Sequence, residues 1–254
     1  MIIMFSNKNA FYLLALLFLF ACKQKPVLVT TYYDESKKSK KEEYYVVGNN
    51  PEKREGLYIA YFADGTKKEE RNYNEDKLEG TFTIYNKEGK LAEKANYKND
   101  KLNGLRELYS EEGKLKISET YNDGMFEGAY KSFFANGKIE QEGVFKNNDM
   151  TGLWKFYYET GKLKEEVNFK ANLENGPYKR YFENGKLESE GQFKDEKEDG
   201  YWKYYYESGK LKEEVNYKAG AEEGLVIVYS ESGDTLKRID YADGRVTNYK
   251  EYRK

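Results

Sequence analysis

Histidine is absent from this 254-residue chain, and cysteine occurs once, at position 22. Without histidine the chain lacks the commonest general base and the commonest transition-metal ligand. A lone cysteine allows no intrachain disulfide and no Cys/His metal cluster, and without histidine neither a Cys/His pair nor a Ser/His/Asp triad can form. Walker-type G-x-x-x-x-G-K-[ST], G-x-G-x-x-G and EF-hand spacings are also missing. Turns such as Asn147-Asn148-Asp149 carry calcium-type oxygens, but a tight turn needs the same residues for its own backbone. No catalytic residue, metal or cofactor is therefore assigned. Neither sign of charge dominates, with 43 Lys+Arg against 45 Asp+Glu, so the general attraction to a phosphate backbone is missing and nucleic acid is not an expected partner.

What is present is aromatic. Twenty-six Tyr and 14 Phe are too much ring surface for a disordered polyelectrolyte, while 35% charged residues leave little aliphatic material. The chain should fold around a thin core.

Residues Ala10 to Ala21 form an apolar run of twelve, too short to cross a bilayer as a helix, and it stops abruptly at Lys23. This reads as a signal peptide over 1–21. The Leu19-Phe20-Ala21-Cys22 stretch resembles the lipobox of bacterial lipoproteins, with Phe20 departing from the usual small residue. That resemblance implies acylation of Cys22, a tether over 22–26 and attachment to a membrane through the N-terminal lipid. Lys23 after the cysteine favours the outer membrane of a bacterial envelope. An ordinary cleaved signal or an uncleaved anchor is the alternative. Lys37, Lys38, Lys40 and Lys41 are balanced by Asp34, Glu35, Glu42 and Glu43 and read as solvated linker.

Repetition dominates the rest. Glycine recurs every 24 residues at 56, 80, 104, 128, 152, 176, 200 and 224, and a second glycine nine places later at 65, 89, 113, 137, 161, 185, 209 and 233. With each first glycine as position 0, position 5 is aromatic throughout (Tyr61, Tyr85, Tyr109, Phe133, Tyr157, Tyr181, Tyr205, Tyr229), and so is position 17 (Tyr73 to Tyr241). In the copy starting at Gly152, Trp154 to Tyr158 and Leu163 to Phe169 have strand character around Tyr158-Glu159-Thr160-Gly161, which suits a type I turn followed by a left-handed bulge. Simple alternation then places Tyr157 opposite Leu163, Lys155 opposite Glu165 and Leu153 opposite Val167, with Lys203 opposite Glu213. A lone hairpin is marginal in water, so the copies must stack. The expected architecture is all-β: an elongated antiparallel meander of about eight 24-residue hairpin repeats over 56–247. Residues 27–55 read as a degenerate repeat or N-terminal cap, and 248–254 as a C-terminal tail.

The unit G-x-W-K-x-Y-Y-E-x-G-K-L-K-E-E-V-N-[FY] at 152–169 and 200–217 resembles the MORN-variant repeat proteins, and among them the YwqK-type family labelled as toxin–antitoxin antitoxins. The resemblance implies a protein-binding scaffold with no catalytic residues, its most specific form an antitoxin or immunity protein whose partner is a toxin. An envelope spacer without a tight ligand is the alternative; an enzyme is not expected.

On that register positions 5 and 17 share one face with Leu91, Leu163 and Leu211 and form the core. A second row, Tyr58, Phe82, Tyr130, Trp154, Tyr178 and Trp202, with Phe62, Phe134, Tyr158, Phe182 and Tyr206 beside it, points the other way. It either packs on itself or offers a protein partner a row of aromatic anchors, and these six are the candidate partner-binding residues. Glu165 with Glu166, and Glu213 with Glu214, cannot act as a glycosidase pair, because adjacent strand residues face opposite sides.

Overall fold

The computed structural model describes residues 24–48, 50 and 52–252; the 1–21 leader and Cys22 lie outside them. Among the described residues every regular element is a β-strand, 22 in one open sheet, with no helix. Every pairing is antiparallel and follows the chain from Val27–Tyr32 at one edge to Arg245–Glu251 at the other; Lys77–Leu78, Lys197–Glu198 and Ala221–Glu222 are short pieces that pair with the same neighbour as Gly80–Tyr85, Gly200–Tyr205 and Gly224–Tyr229 after them.

The copy starting at Gly152 shows how the sequence builds the unit. Asp149–Tyr157 and Leu163–Lys170 are joined by a turn in which the Gly161 amide donates to Tyr158 O (2.7 Å) and the Tyr158 amide to Lys162 O (2.9 Å), with Gly161 at φ +85°. The bulge adds one residue to the second strand. Tyr157 does pair with Leu163, but Phe156 then pairs with Glu165, Lys155 with Glu166, Trp154 with Val167 and Leu153 with Asn168. The pairs expected from plain alternation are thus corrected, and Lys203 likewise meets Glu214 rather than Glu213. A slip of one residue changes which side chains share a face. Positions 5 and 17 therefore lie on opposite faces: Trp154, Phe156, Val167 and Phe169 share the inner one, and Leu153, Lys155, Tyr157 and Glu166 the outer.

The polar second half of each copy is a second hairpin. Ala171 and Asn172 have φ +51° and +68°, and Asn147 and Asn148 +51° and +70°, the paired left-handed conformations of a two-residue type I′ turn. Each such turn is tied to the preceding copy: the Asn148 amide donates to Phe126 O (3.0 Å), and the Phe126 amide to Asn148 Oδ1 (2.8 Å). Between the two arms Gly152 sits at φ +67°, where a side chain is disfavoured. Pairing with the previous strand jumps there from Glu142–Lys155 to Val144–Thr151. Such a bulge bends the strand. The short arm swings toward the inner face, where the Tyr204 hydroxyl reaches Glu198 of the preceding copy (3.3 Å).

The ends follow the same pattern. Val27–Tyr32 and Lys40–Val46 form a hairpin without a turn glycine; Lys37 adopts φ +58° instead, and the Ser39 amide donates to Asp34 Oδ2 (2.8 Å). Arg245–Glu251 pairs with Thr235–Ala242, so the segment read as a tail from 248 begins inside the last strand.

Candidate functional site

The inner face is a single stripe of side chains from positions 2 and 15, flanked by positions 4 and 17. Of the six candidate residues, Trp154 is 1%, Trp202 2%, Tyr58 5% and Tyr178 8% exposed, while Phe82 and Tyr130 are half-buried. Trp154 lies 5.1 Å from Phe145, 5.6 Å from Tyr130 and 6.2 Å from Phe169 between ring centroids. Trp202 packs at 5.1 Å on Phe193 and 5.3 Å on Tyr178, and its indole N–H donates to Gln192 O (3.2 Å). Four of the six thus lie in the core rather than on an open surface, and Phe82 and Tyr130 are partly covered. The turn bulge gathers positions 2, 4, 15 and 17 on one face, and the bend at position 0 brings the neighbouring rings over it. Their companions Tyr158 and Tyr206 lie at the turns and donate to the next copy's Tyr181 O and Tyr229 O (both 2.7 Å).

Two glycines make the tryptophans possible, and the sequence reading missed them. A Cβ on Gly143 would stand 2.2 Å from Trp154 Cδ2, and one on Gly191 2.2 Å from Trp202 Cδ2. Position 15 holds Gly only in these two copies, each followed by a copy with Trp at position 2; elsewhere it holds Arg71, Ala95, Glu119, Val167, Val215 or Ile239. That covariation within the chain was the available signal.

Toward the N-terminus the same stripe is charged. Arg71 stacks between Tyr58 (5.1 Å) and Phe82 (5.5 Å), and Arg106 joins Glu93 (2.7 Å) to buried Glu119 (2.9 Å). Toward the C-terminus Glu174 and Glu213 are raised above the usual carboxylate range, chiefly by burial. Glu165 and Glu166 point to opposite faces, Glu165 opposite Phe156 and Glu166 opposite Lys155. Among the described residues no group of three or more carboxylate or thiol side chains is placed to hold a metal.

The outer face is a charge lattice. Across successive strands run Lys131, Glu142, Lys155, Glu166, Lys179, Glu190, Lys203 and Glu214, each paired with the next. Contacts are 3.0 Å at Lys131–Glu142, 3.8 Å at Lys155–Glu166 and 4.0 Å at Lys179–Glu190. The position-5 tyrosines join this lattice rather than a core. The Tyr157 hydroxyl donates to Glu142 (2.7 Å), Tyr181 to Glu166 (3.0 Å), Tyr205 to Glu190 (2.9 Å) and Tyr229 to Glu214 (2.9 Å). Burial first, and the carboxylate second, pushes Tyr157, Tyr181 and Tyr205 up to about 12. Beside the lattice Leu57, Leu105, Leu153, Tyr201 and Leu225 project into solvent, Leu153 at 45% and Tyr201 at 53% exposure. Two shallow clefts open here at equivalent places two copies apart, one of about 280 Å³ bordered by Lys131, Glu142, Leu153 and Lys155, the other of about 380 Å³ bordered by Lys179, Glu190, Tyr201 and Lys203.

No curated protein matches the chain. Among solved structures it is similar to a chain in the crystal structure of TcdB2-TccC3-Cdc42, with 13% identity over 85% of this chain and 14% of that one and a TM-score of 0.22. It is also similar to a chain in the crystal structure of TcdB2-TccC3, at 11% identity, the same coverage and a TM-score of 0.18. Likenesses this slight, in which this chain spans a small fraction of the other's length, carry no argument. The MORN repeat variant, in contrast, matches seven successive segments, 54–75, 78–99, 102–123, 126–147, 150–171, 174–195 and 198–219. Each matched segment begins in the strand before a position-0 glycine and ends at a type I′ turn, so sequence match and structural unit coincide over more than half of the chain, which belongs to the MORN repeat variant family.

Proposed function

We propose that the chain is a non-catalytic scaffold, tethered to a bacterial envelope membrane through acylated Cys22, that binds a protein partner on its outer face. The observation that carries this reading is the repetition of that face. With the aromatic stripe filled by the chain's own rings, the exposed surface is a regular Lys–Glu–Tyr lattice with a row of exposed Leu and Tyr, and one cleft recurs at Leu153 and Tyr201. Apolar anchors rimmed by polar groups are what protein interfaces use. The double variant Leu153→Glu/Tyr201→Glu should fold normally, since both side chains are exposed, and should lose a partner that the parent chain captures from native membranes. Undiminished capture of the same partner would sink the outer-face reading.

The finer form of this proposal is the YwqK-type antitoxin, in which the partner is a toxin. Co-expression with a secreted toxin encoded beside it should restore growth, and the Leu153→Glu/Tyr201→Glu variant should not. The anchor is tested separately: an alkyne fatty acid should label the parent chain and not Cys22→Ser. The outer membrane is the proposed location, from Lys23.

A further inference from the structure

We propose that the N-terminal sheet edge, Val27–Tyr32, pairs with the same strand of a second copy of this chain around a two-fold axis through Val29. Among the described residues the open sheet leaves two edges whose outer N–H and C=O groups have no ladder partner, and an unprotected edge is a template for another strand. The two edges differ. Arg245–Glu251 is exposed throughout and carries Arg245, Lys250 and Glu251, the charges that blunt an edge. Val27–Tyr32 (VLVTTY) has no charge, is rich in β-branched residues, and exposes Val27 at 46% and Leu28 at 49%.

Strand direction decides which copy-to-copy pairing is available. With each of the three broken strands counted once, the 22 elements make 22 − 3 = 19 strands, an even number of antiparallel steps separates the two edges, and both edge strands run the same way. Head-to-tail stacking by translation would then set parallel strands side by side, unlike every pairing in the sheet. A two-fold axis perpendicular to the sheet sets Val27–Tyr32 antiparallel to itself and keeps the inner faces of both copies on one side. Side chains opposed across such a pair must share a face, so the axis passes through a residue rather than between two. Val29 pairs with Tyr44, Tyr44 with Tyr58, and the rings of those tyrosines stack at 6.0 Å, so Val29 is the end of the buried stripe. An axis there joins the two stripes end to end. It sets Val29 against its own counterpart and Val27 against Thr31, an uncharged contact that rejects a charged strand. One strand pair buries less than a standard interface, so the dimer is a weak one, captured best by cross-linking.

The test uses the full chain in its own membranes with single cysteines added. Opposed residues in an antiparallel pair have Cβ atoms about 4.5–5.5 Å apart, close to disulfide reach. Under mild oxidation Val29→Cys should shift most of the chain to twice its monomer mass. Thr31→Cys alone, roughly 14 Å from its counterpart at about 3.4 Å per residue, should not. Co-expressed Thr31→Cys and Val27→Cys chains should cross-link to each other. The parent chain, with Cys22 alone, reports any free thiol at the proposed anchor, so failure of the anchor reading appears there and not in the comparison between positions. Equal cross-linking at Val29→Cys, Thr31→Cys and an edge control, Tyr249→Cys, or none at any of them, overturns the proposal.

Discussion

Gly191→Val tests whether the glycine at position 15 and the tryptophan at position 2 are one structural unit. A Cβ at Gly191 would stand 2.2 Å from Cδ2, 2.4 Å from Cε2 and 2.6 Å from Cγ of Trp202, more than 1 Å inside ordinary contact. The indole is 2% exposed and held by Tyr178 and Phe193, so it has nowhere to swing. Overpacking a filled core costs about 1–3 kcal/mol, and this clash, with rigid ring atoms, belongs at the upper end. Against it stands the better strand propensity of valine, up to about 1 kcal/mol. The net expectation is a loss of about 2 kcal/mol. The chain itself contains the remedy: Val167 lies between Trp154 and Tyr178, so valine is accommodated where a tyrosine follows. Gly191→Val combined with Trp202→Tyr should therefore recover most of the loss, a coupling of about 1–3 kcal/mol for residues in direct contact. Repeat arrays need not unfold in two states, so the measurement is hydrogen exchange in Leu187–Lys194 and Gly200–Tyr205. A Gly191→Val chain as protected as the parent, or strictly additive single changes, would refute the reasoning.

Truncating the inner stripe should cost more than truncating the outer lattice: Trp154→Ala or Trp202→Ala about 3–5 kcal/mol, and Tyr157→Ala or Tyr205→Ala clearly less, in thermal melts of the four variants. Alkaline titration should show late tyrosinate absorbance, because Tyr157, Tyr181 and Tyr205 are held up to about 12 in the fold against about 10 in the unfolded chain. The unfolded chain loses these protons first, so stability is full below about pH 10 and falls as pH rises through about 12; unchanged stability across that window would remove the lattice as a source of it. Ala171, at φ +51°, pays a left-handed penalty that the equivalent Asn147 tolerates, so Ala171→Asn should raise stability by up to about 1 kcal/mol in denaturant melts.

The period, the strands and the turn at Gly161 were legible in the sequence because each depends on a local rule: glycine where φ is positive, aromatic and β-branched residues in between. The faces were not. Alternation is read one strand at a time, whereas the face on which Val167 lands is fixed by the extra residue after Tyr157, and that residue moves Glu166 rather than Glu165 opposite Lys155. Once the register slips, Tyr157 leaves the supposed core for the lattice and Trp154 leaves the supposed surface for the core. The short arm hid for a different reason. Asp123-Gly124 and Asp243-Gly244 carry the Asp-Gly signal of a two-residue hairpin, but most copies do not: Lys170-Ala171-Asn172 lacks it, and the strain at Ala171 is offset by the Asn172 amide donating to Met150 O (3.2 Å) and the Met150 amide to Asn172 Oδ1 (2.7 Å).

A single sheet has no second layer to cover its apolar side, yet Trp154 is as buried as a residue in a two-layer core. The cover comes from bending each strand at its position-0 glycine, which closes rings of the same and adjacent copies over the stripe. This solution uses the aromatic residues for the fold itself. It also lets charge enter the stripe: Arg106 lies between Glu93 and Glu119, and the ion pairs there replace rings without opening the sheet. The outer face is under no such demand. Its Lys–Glu pairs at 3.0 to 4.0 Å on partly exposed side chains contribute little each to stability, so its residues can change from copy to copy at small cost to folding. Side chains can therefore vary along the array where the fold is indifferent, at places such as Leu153, Pro177, Tyr201 and Leu225, which occupy one position in four copies and share no single side chain.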